Sequence, residues 1–492
     1  MAPGRRNGLG LTPDPAPGPA APVPRRERAA DPERAAPAAR AARERAEQVA
    51  RTAYGHLLAV LAAPTGDIPT AEDALADAFE QALAGWPRVG IPDNPQGWLI
   101  TVARNRLRDR WKSAAVRRSV PLDETDAAAF GDDPVMSEPV GADQFGADPF
   151  GADPFDGLTT DRIGDKRLEL LFVCAHPAID VGIRTPLMLQ TVLGIESARI
   201  AAVFQLPPSV LAQRLVRAKR RIREARIPFV VPGRADMPAR LPAVLEAVYG
   251  AYAIDWQTSG SRAVDSLAGE AHYLASTLAA LLPGDPEVLG LAALLSFSLA
   301  RAPARFTAAG DPIPLELQNP ALWDAPLLAA GEALLRRAHR LGRIGRFQLE
   351  AAIEAAHTDR TGPVDRAALV TLHRALVRLA PTLGAQVALS VAIADVDGAD
   401  AGRHYLDGLT GADGFQPAWA ARAYLLGLAG QVPQARAAYA RAIALTPDAA
   451  TRVHLHRHLD ALPTAAPVVP VTPGNSPADG PGRPATRRSM EE

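Results

Sequence analysis

One segment of the chain carries most of the structural information, and it reads Asn94-Pro-Gln-Gly-Trp-Leu-Ile-Thr-Val-Ala-Arg-Asn-Arg-Leu-Arg-Asp-Arg-Trp-Lys112. Four apolar residues recur at i, i+4, i+8 and i+12, namely Leu99, Ala103, Leu107 and Trp111. This period predicts a helix from Gln96 to about Lys112 with that stripe facing inward. A second stripe is basic, with Arg104, Arg108 and Lys112 in line and Arg106 and Arg110 beside them.

The basic stripe of this helix has two interpretations. Five cations on three turns repel one another unless an anion neutralises them, and Trp98 and Trp111 lie on either side of them. Arginine for phosphates together with flat rings for stacking is typical of proteins that bind single-stranded nucleic acid. A solvated basic helix with no ligand is the structural alternative, and the pattern leaves both open.

The composition of the chain predicts an all-α protein of several domains. At roughly 150 residues per domain, 492 residues indicate about three domains. Apolar residues make up 48% and aromatic residues only 5%, so the cores are mostly Ala, Leu and Val. Alanine and leucine favour helices, whereas strands favour β-branched and aromatic residues. The single cysteine, Cys174, excludes an internal disulfide framework and a cysteine-rich zinc site.

Charge is strongly segregated along the chain although the net charge is only −1. Residues 102–118 contain seven basic residues and one acid, and residues 200–229 contain the same numbers. Between them, residues 119–165 contain twelve acids and one arginine. Such asymmetry indicates charged partners. We expect the acidic segment to compete with DNA for the basic blocks, and only modestly because salt screens flexible charges.

The pattern divides the chain into helical domains and low-complexity segments. Residues 119–165 include the tandem repeat Gly141-Ala-Asp-Gln-Phe, Gly-Ala-Asp-Pro-Phe, Gly-Ala-Asp-Pro-Phe155, which cannot build a core and predicts a flexible linker. The expected order is a disordered extension (1–45), a helical domain (46–118), the acidic linker (119–165), a second helical domain (166–229), a larger helical-repeat domain (240–462) and a disordered tail (463–492). The longest apolar run, Val288 to Ala300, is shorter than the ~20 residues of a bilayer span. We therefore expect a cytoplasmic protein with no membrane partner.

An acidic amphipathic helix is predicted from Ala71 to Trp86, with Thr70 as its N-cap. Its inward face is expected to hold Leu75, Ala78, Phe79, Ala82, Leu83 and Trp86. Its acids lie elsewhere on the helix and are Glu72, Asp73, Asp77 and Glu80. They form either a solvated surface or a docking face for a basic partner.

Residues 195–224 have the pattern of a helix–turn–helix. A short helix with Ile200, Ala201 and Phe204 inward is followed by Gln205-Leu-Pro-Pro208, which forces a break. The second helix, from Ser209 to about Ala225, has an apolar stripe of Leu211, Leu215, Ala218 and Ile222. Polar side chains project from its other side: Gln213, Arg214, Arg217, Arg220 and Arg221. Arg reads guanine and Gln reads adenine in a major groove. Two packed helices with a solvated basic exterior are the alternative.

Several of these segments resemble the extracytoplasmic-function RNA polymerase sigma factors of the sigma-70 family. The resemblance rests on Ala71-Glu-Asp-Ala-Leu-Ala-Asp-Ala-Phe79, on Asn94 to Trp111, and on Gln213-Arg-Leu-Val-Arg-Ala-Lys-Arg-Arg-Ile222. Phe172-Val-Cys-Ala-His-Pro-Ala178 and Arg226-Ile-Pro-Phe229 resemble the joints of the subgroup with a long tetratricopeptide-like C-terminal extension. The resemblance spans roughly residues 50 to 460.

The resemblance implies a non-enzymatic protein that binds core RNA polymerase and promoter DNA and opens DNA by holding unstacked bases. Contacts with core polymerase would come from Glu72, Asp73, Asp77 and Glu80. Contacts with a melted −10 element would come from Asn94, Trp98, Arg104, Asn105, Arg108, Trp111 and Lys112. Contacts with a duplex −35 element would come from Ser209, Gln213, Arg214, Arg217, Lys219, Arg220 and Arg221. No cofactor and no metal are implied; Cys174-Ala-His176 offers only two candidate ligands and is expected to be a buried helix end.

The chain departs from the subgroup at two places. Ala253-Ile-Asp255 stands where an Asn-Glu-Gly motif is usual, and Ala175 replaces a second cysteine. Both departures concern the regulation by the extension and not promoter binding.

The C-terminal part carries a partial tetratricopeptide spacing, formed by Trp419, Ala435, Tyr439, Ala442 and Pro447, although Ala423 and Leu426 replace the usual Gly and Tyr. Stacked helix pairs would form a concave surface for a regulatory protein or an intramolecular contact. A plain helical bundle is the alternative.

Two functional classes remain open at this point. The first is a sigma factor whose extension regulates it. The second is a helix–turn–helix regulator or tetratricopeptide-like scaffold that binds duplex DNA without engaging core polymerase.

Overall fold

The computed structural model describes residues 32–119, 166–256, 267–307, 313–359, 364–446 and 449–463. Over these ranges the chain forms eighteen α-helices and no β-strand, which confirms the predicted all-α class. It divides into two compact units, Met1–Asp161 and Arg162–Glu492. The predicted linker (from residue 120), the tail (from residue 464) and the first 31 residues lie outside the described ranges.

The first unit is a group of three helices, α1 (Pro32–Ala62), α2 (Ile68–Val89) and α3 (Pro95–Ser119). Helix α1 begins well before residue 46, so the prediction of disorder is wrong for residues 32–45. From Pro32 onward alanine, arginine and glutamate dominate, and all three are good helix formers. The side chains of Ala42 and Ala46 are buried, so this early part of α1 contributes to the core.

Both ends of α2 lie outside the predicted bounds. Asp67 is the N-cap in place of Thr70, because its Oδ1 accepts a hydrogen bond from the Thr70 amide at 3.3 Å. Pro69 fits this start since the first helical turn needs no amide donor. At the other end Pro87 lies within the last turn, and Gly90, at φ +97°, closes the helix by donating its N–H to the Trp86 carbonyl.

The second unit begins with five helices: α4 (Lys166–Cys174), α5 (Val181–Thr191), α6 (Ser197–Val203), α7 (Pro208–Glu224) and α8 (Leu241–Trp256). Helix α5 packs against α8. The Arg184 guanidinium donates to the Ile179, Pro177 and Ala239 carbonyls at 3.0, 3.4 and 3.4 Å. The buried Arg240 donates to the Phe172 carbonyl at 3.5 Å. Residues 166–229 and the start of the C-terminal segment therefore share one packed body.

The remaining helices are α9 (Leu267–Leu281), α10 (Pro286–Ala300), α11 (Ala325–Arg340), α12 (Arg346–Thr358), α13 (Arg366–Leu379), α14 (Leu383–Asp397), α15 (Ala399–Asp407), α16 (Gln416–Leu428), α17 (Val432–Leu445) and α18 (Ala449–Ala461). Helix α10 is the centre of the first group and contacts α9, α11 and α12; all its residues except Glu287 are buried. Among the described residues, the segment Pro286–Ala304 is long and apolar enough to span a membrane, but 78% of its most apolar window is buried inside the protein.

Helices α10 and α12 approach each other closely at Gly290. A Cβ at this position would lie 2.5 Å from the backbone nitrogen of Gln348 and 2.9 Å from the carbonyl carbon of Phe347. Only a residue without a side chain permits this backbone-to-backbone approach.

Helices α16 and α17 form the antiparallel pair that the tetratricopeptide spacing suggested. Ala435, Tyr439 and Ala442 are buried against Ala423 and Leu426 of the preceding helix. Pro447 lies outside the described residues, and the assignment of the whole extension to a repeat family stays a prediction.

Candidate nucleic-acid interface

Helix α2 turns an apolar face to the core of the first unit and an acidic face outward. Leu75, Ala78, Ala82 and Trp86 are buried as predicted. Phe79 is only half-buried. Leu83 is 46% exposed, so its predicted inward position is wrong. The inward stripe uses Ala71 and Ala74 instead, because a period of 3.6 residues centres it on 71, 75, 78, 82 and 86.

The acidic face is partly paired with the basic helix. Asp73 and Glu80 are exposed, whereas Glu72 and Asp77 are half-buried. The Arg110 guanidinium of α3 lies 3.3 Å from the Asp73 carboxylate and 3.5 Å from that of Asp77. The sequence pattern did not predict this pairing. Two acids at i and i+4 on one helix, together with an arginine on the next helix, are the pattern that could have indicated it. The predicted docking acids Asp73 and Asp77 thus contact an intramolecular cation.

Asn94 caps α3 at the point where the predicted −10 surface begins. Its Oδ1 accepts a hydrogen bond from the Gly97 amide at 2.9 Å, and its carbonyl accepts one from the Trp98 amide. The side chain is otherwise exposed. Asn94 therefore fixes the entry into α3 in addition to any contact it makes with a ligand.

The two tryptophans of α3 differ in their surroundings. The ring of Trp98 meets that of Trp86 edge-on, with centroids 5.6 Å apart and an interplanar angle of 65°. This contact pins the start of α3 to the end of α2. Trp111 is half-buried at the other end of the stripe.

The predicted inward stripe of α3 is confirmed at Leu99, Ala103 and Leu107, which are all buried. On the polar side, Asn105 and Lys112 are exposed, and Arg104 and Arg108 are half-buried. The helix therefore offers a partly exposed basic surface with one tryptophan ring on either side of it.

Helices α6 and α7 form the predicted helix–turn–helix. The chain reverses at Gln205, which has φ +52°, and the Leu206 amide donates to the Ala201 carbonyl at 2.9 Å. Pro207 caps α7, and its carbonyl accepts hydrogen bonds from the Val210 and Leu211 amides. The prolines thus separate the two helices and start the second one.

The apolar face of this motif agrees with the prediction at all but one position. Ile200 and Ala201 of α6 are buried, and so is the α7 stripe of Leu211, Leu215, Ala218 and Ile222. Phe204 was expected to point inward, but it follows the last turn of α6 and is 36% exposed.

The outward face of α7 is polar and basic. It exposes Ser209, Gln213, Arg214, Arg217, Arg220 and Arg221. Lys219 differs from the other predicted −35 residues, because it is only 7% exposed. It follows Ala218 next to the core stripe, where a lysine packs its methylene stem against apolar neighbours.

A groove of about 470 Å³ runs beside this face. Arg214, Arg217 and Arg221 line one side, and Ile179 and Asp180 of the α4–α5 joint line the other. The basic row is therefore accessible within the second unit. The Arg199 guanidinium of α6 donates to the Ile254 carbonyl at 3.4 Å, so the segment that departs from the subgroup's motif contacts the first helix of the motif.

Cys174 lies at a buried helix end, as the sequence predicts, whereas His176 follows the helix and is half-buried. Cys174 ends α4, is buried, and has its Sγ 3.5 Å from the Thr191 hydroxyl. His176 Nδ1 accepts a hydrogen bond from the Ala178 amide. Burial lowers the pKa of His176, and the nearby Arg240 and Arg184 lower it further. No group of three metal-ligating side chains occurs among the residues with described positions.

Two family models match the chain. Residues 45–117, which include α2 and α3 up to residue 117, match Sigma-70 region 2. Residues 240–339 match a family of unknown function (DUF6596).

Curated relatives extend the similarity. The chain is 32% identical over 401 residues to an uncharacterised protein of Rhizobium meliloti (strain 1021), which covers 80% of this chain and 90% of the relative. It is 30% identical over 167 residues to the "Probable ECF RNA polymerase sigma factor SigI" of Mycobacterium tuberculosis (strain CDC 1551 / Oshkosh). That match covers 33% of this chain and 49% of the relative.

No solved structure matches the chain. The region 2 match coincides with the acidic and basic helices described above, and a second match is to a protein named as a sigma factor. The chain therefore contains a sigma-70 region 2 domain at residues 45–117, and the two matches together support a sigma factor of the sigma-70 family.

Proposed function

We propose that the protein binds core RNA polymerase through the acidic face of α2 and promoter DNA through α3 and α7, and thereby enables transcription initiation. The observation that carries this proposal is that α7 has an apolar face and, opposite it, a basic face. Its apolar stripe is fully buried, whereas Gln213, Arg214, Arg217 and Arg221 are exposed in one continuous row. A row of this kind has the shape and charge of a helix that enters a major groove.

The first unit supplies the proposed −10 contacts. Arg104, Arg108 and Lys112 would meet phosphates, and Trp111 offers an aromatic face for an unstacked base. Trp98 contributes in a second way, because its edge contact with Trp86 orients the start of α3. Opening of DNA would thus be a binding effect that requires no catalytic group.

The second unit supplies the proposed −35 contacts, and its C-terminal segment supports them. The hydrogen bonds from Arg184, Arg199 and Arg240 tie residues 166–229 to the body that follows. In that arrangement the extension holds the helix–turn–helix and leaves its basic row exposed. We infer that the extension (240–462) regulates initiation by this attachment or through a partner protein.

In-vitro transcription tests the proposal. The full chain is mixed with purified core polymerase and a library of promoter DNA, and the 5′ ends of the transcripts are sequenced. We expect transcripts that share two sequence elements upstream of their start sites. The matched variant Gln213→Ala/Arg214→Ala should lose selection at the upstream element alone. Absence of initiation on every template would contradict the proposal.

A second function is favoured by one observation, the pairing of Arg110 with Asp73 and Asp77. Acids that are occupied within the chain are weaker docking groups, which suits a regulator that binds duplex DNA without core polymerase. Co-elution of the full chain with core polymerase in gel filtration separates the two functions. A sigma factor co-elutes in the absence of DNA, whereas the alternative does not.

A further inference from the structure

The second unit contains a large cavity that the promoter-binding surfaces do not use. It has a volume of about 1050 Å³ and lies between the segment that follows α7, the start of α8, the α9–α10 turn and the α11–α12 turn. Leu241, Leu245 and Phe347 form its buried floor. Leu281 and Ile344 stand at its walls and are 47% and 65% exposed. A volume of this size suits a small organic ligand.

Five prolines stiffen the walls of this cavity: Pro232, Pro238, Pro242, Pro283 and Pro286. Each proline fixes its own φ angle and has no amide hydrogen to donate. Because these residues lack amide donors, they make the walls apolar. Because their φ angles are fixed, the walls have their shape before a ligand enters. A preformed apolar cavity binds an apolar body without the cost of ordering its own walls.

The carboxylates that border the cavity are already engaged with the protein. Glu287 accepts hydrogen bonds from the Phe347 and Gln348 amides at 3.1 and 3.2 Å. Asp285 accepts from two amides at the start of α10. Glu246 lies 2.5 Å from Arg346. Each of these acids thus already has a hydrogen-bond or ion-pair partner within the fold.

Two arginines give the mouth of the cavity a positive charge. Arg234 and Arg343 are both exposed and both line the cavity. Arg343 Nη2 donates to the Gly284 carbonyl at 3.3 Å, which holds this guanidinium at the rim. A guanidinium binds a carboxylate or a phosphate through paired N–H donors.

We propose that this cavity binds an anionic amphiphile, with an aliphatic chain against the leucine and proline walls and a carboxylate or phosphate head at Arg234 and Arg343. The apolar part and the charged part of this proposal can be tested separately. The apolar walls require affinity to increase with chain length, and the arginines require a negative head group. Burial of each additional methylene should tighten binding about fourfold.

Isothermal titration of the full chain with dodecanoate, below its micelle concentration, tests the proposal. Decanoate, which is two methylenes shorter, should bind about fifteenfold more weakly. Dodecyl phosphate compares the two acidic head groups, and dodecyltrimethylammonium carries the same chain with the opposite charge. Preference for either anion over the cation supports the proposal. Equal binding of the cation, or no binding of either anion, overturns it.

Two variants locate the ligand. Arg234→Glu should weaken dodecanoate binding at least tenfold, whereas Arg374→Glu, at an exposed arginine of α13, should not. Gly284→Trp places an indole at the wall, where a Cβ meets no atom within 4 Å, and should abolish binding. Gly384→Trp is its control, since Gly384 is equally open but lies at the start of α14. Wild-type affinity in Gly284→Trp and Arg234→Glu would place the ligand elsewhere and overturn the proposal.

Discussion

Arg110 on α3 lies 3.3 Å from Asp73 on α2, so the basic helix and the acidic helix of the first unit partly neutralise each other. The same guanidinium reaches Asp77 at 3.5 Å. All three side chains are more than a third exposed. Exposed ion pairs contribute about 0.2–1 kcal/mol, so a partner is able to displace this one.

Removal of Arg110 should therefore strengthen the binding of core polymerase. Arg110→Gln keeps a polar side chain, removes the positive charge and releases two carboxylates. We expect up to about fivefold tighter binding, the equivalent of one exposed ion pair. Fluorescence anisotropy of the labelled full chain with purified core polymerase, in the absence of DNA, measures it. Arg106→Gln on the same helix is the matched control and should leave this affinity unchanged.

Charge reversal of the two paired acids should have the opposite effect. Asp73→Arg/Asp77→Arg should abolish co-elution with core polymerase and leave duplex DNA binding intact, because the helix–turn–helix lies in the other unit. Asp395→Arg/Asp397→Arg, at the exposed end of α14, produces the same change in net charge and is the control. Full co-elution of the double variant would rule out this face as the polymerase contact.

Substitutions in the exposed row of α7 should distinguish residues that contact bases from residues that contact phosphates. Replacement of Arg214 or Arg217 by Ala should either cost about 1–3 kcal/mol at one base pair or lower the salt dependence of DNA binding by about one unit of slope. The buried Lys219 provides the contrast, and Lys219→Met should alter neither. Electrophoretic mobility shifts at several salt concentrations measure both effects. An unchanged salt slope and unchanged base preference in both arginine variants would exclude α7 as the recognition helix.

The periodic parts of the fold could be predicted from the sequence. The stripes Leu99–Ala103–Leu107 and Leu211–Leu215–Ala218–Ile222 are buried as predicted, because one helical period decides which side meets the core. The turn at Gln205–Pro208 was likewise predictable, since prolines act on their own backbone.

Features that depend on a second helix could not be predicted in the same way. The pairing of Arg110 with Asp73 joins positions 37 residues apart, and the burial of Lys219 depends on the elements that pack against α7. Composition was misleading at residues 32–45, where an alanine- and arginine-rich segment proved helical.

The close approach of α10 and α12 should make Gly290 intolerant of any side chain. In Gly290→Ala the new Cβ would lie 2.5 Å from the Gln348 nitrogen, and neither helix backbone is free to move. We expect destabilisation of about 1–3 kcal/mol, the usual cost of overpacking. Urea unfolding measures it, with Gly233→Ala, which meets no atom within 4 Å, as the control. Equal midpoints for the two variants would contradict this packing.

The stability of the second unit should fall in acid because of His373 on α13. Burial, together with the smaller effect of the nearby His357 on α12, lowers the pKa of this imidazole to about 4. The unfolded chain, with a histidine pKa of about 6.5, binds the proton first. His373 therefore contributes its full stability above pH 6.5 and loses it as the pH falls toward 4, by about 2 kcal/mol between pH 7 and pH 5. In His373→Gln the decrease in urea midpoint over that interval should be smaller than in the wild type. The exposed His456 on α18 provides the control, and His456→Gln should follow the wild-type curve. If His373→Gln loses as much stability as the wild type, the buried imidazole is not the group that titrates.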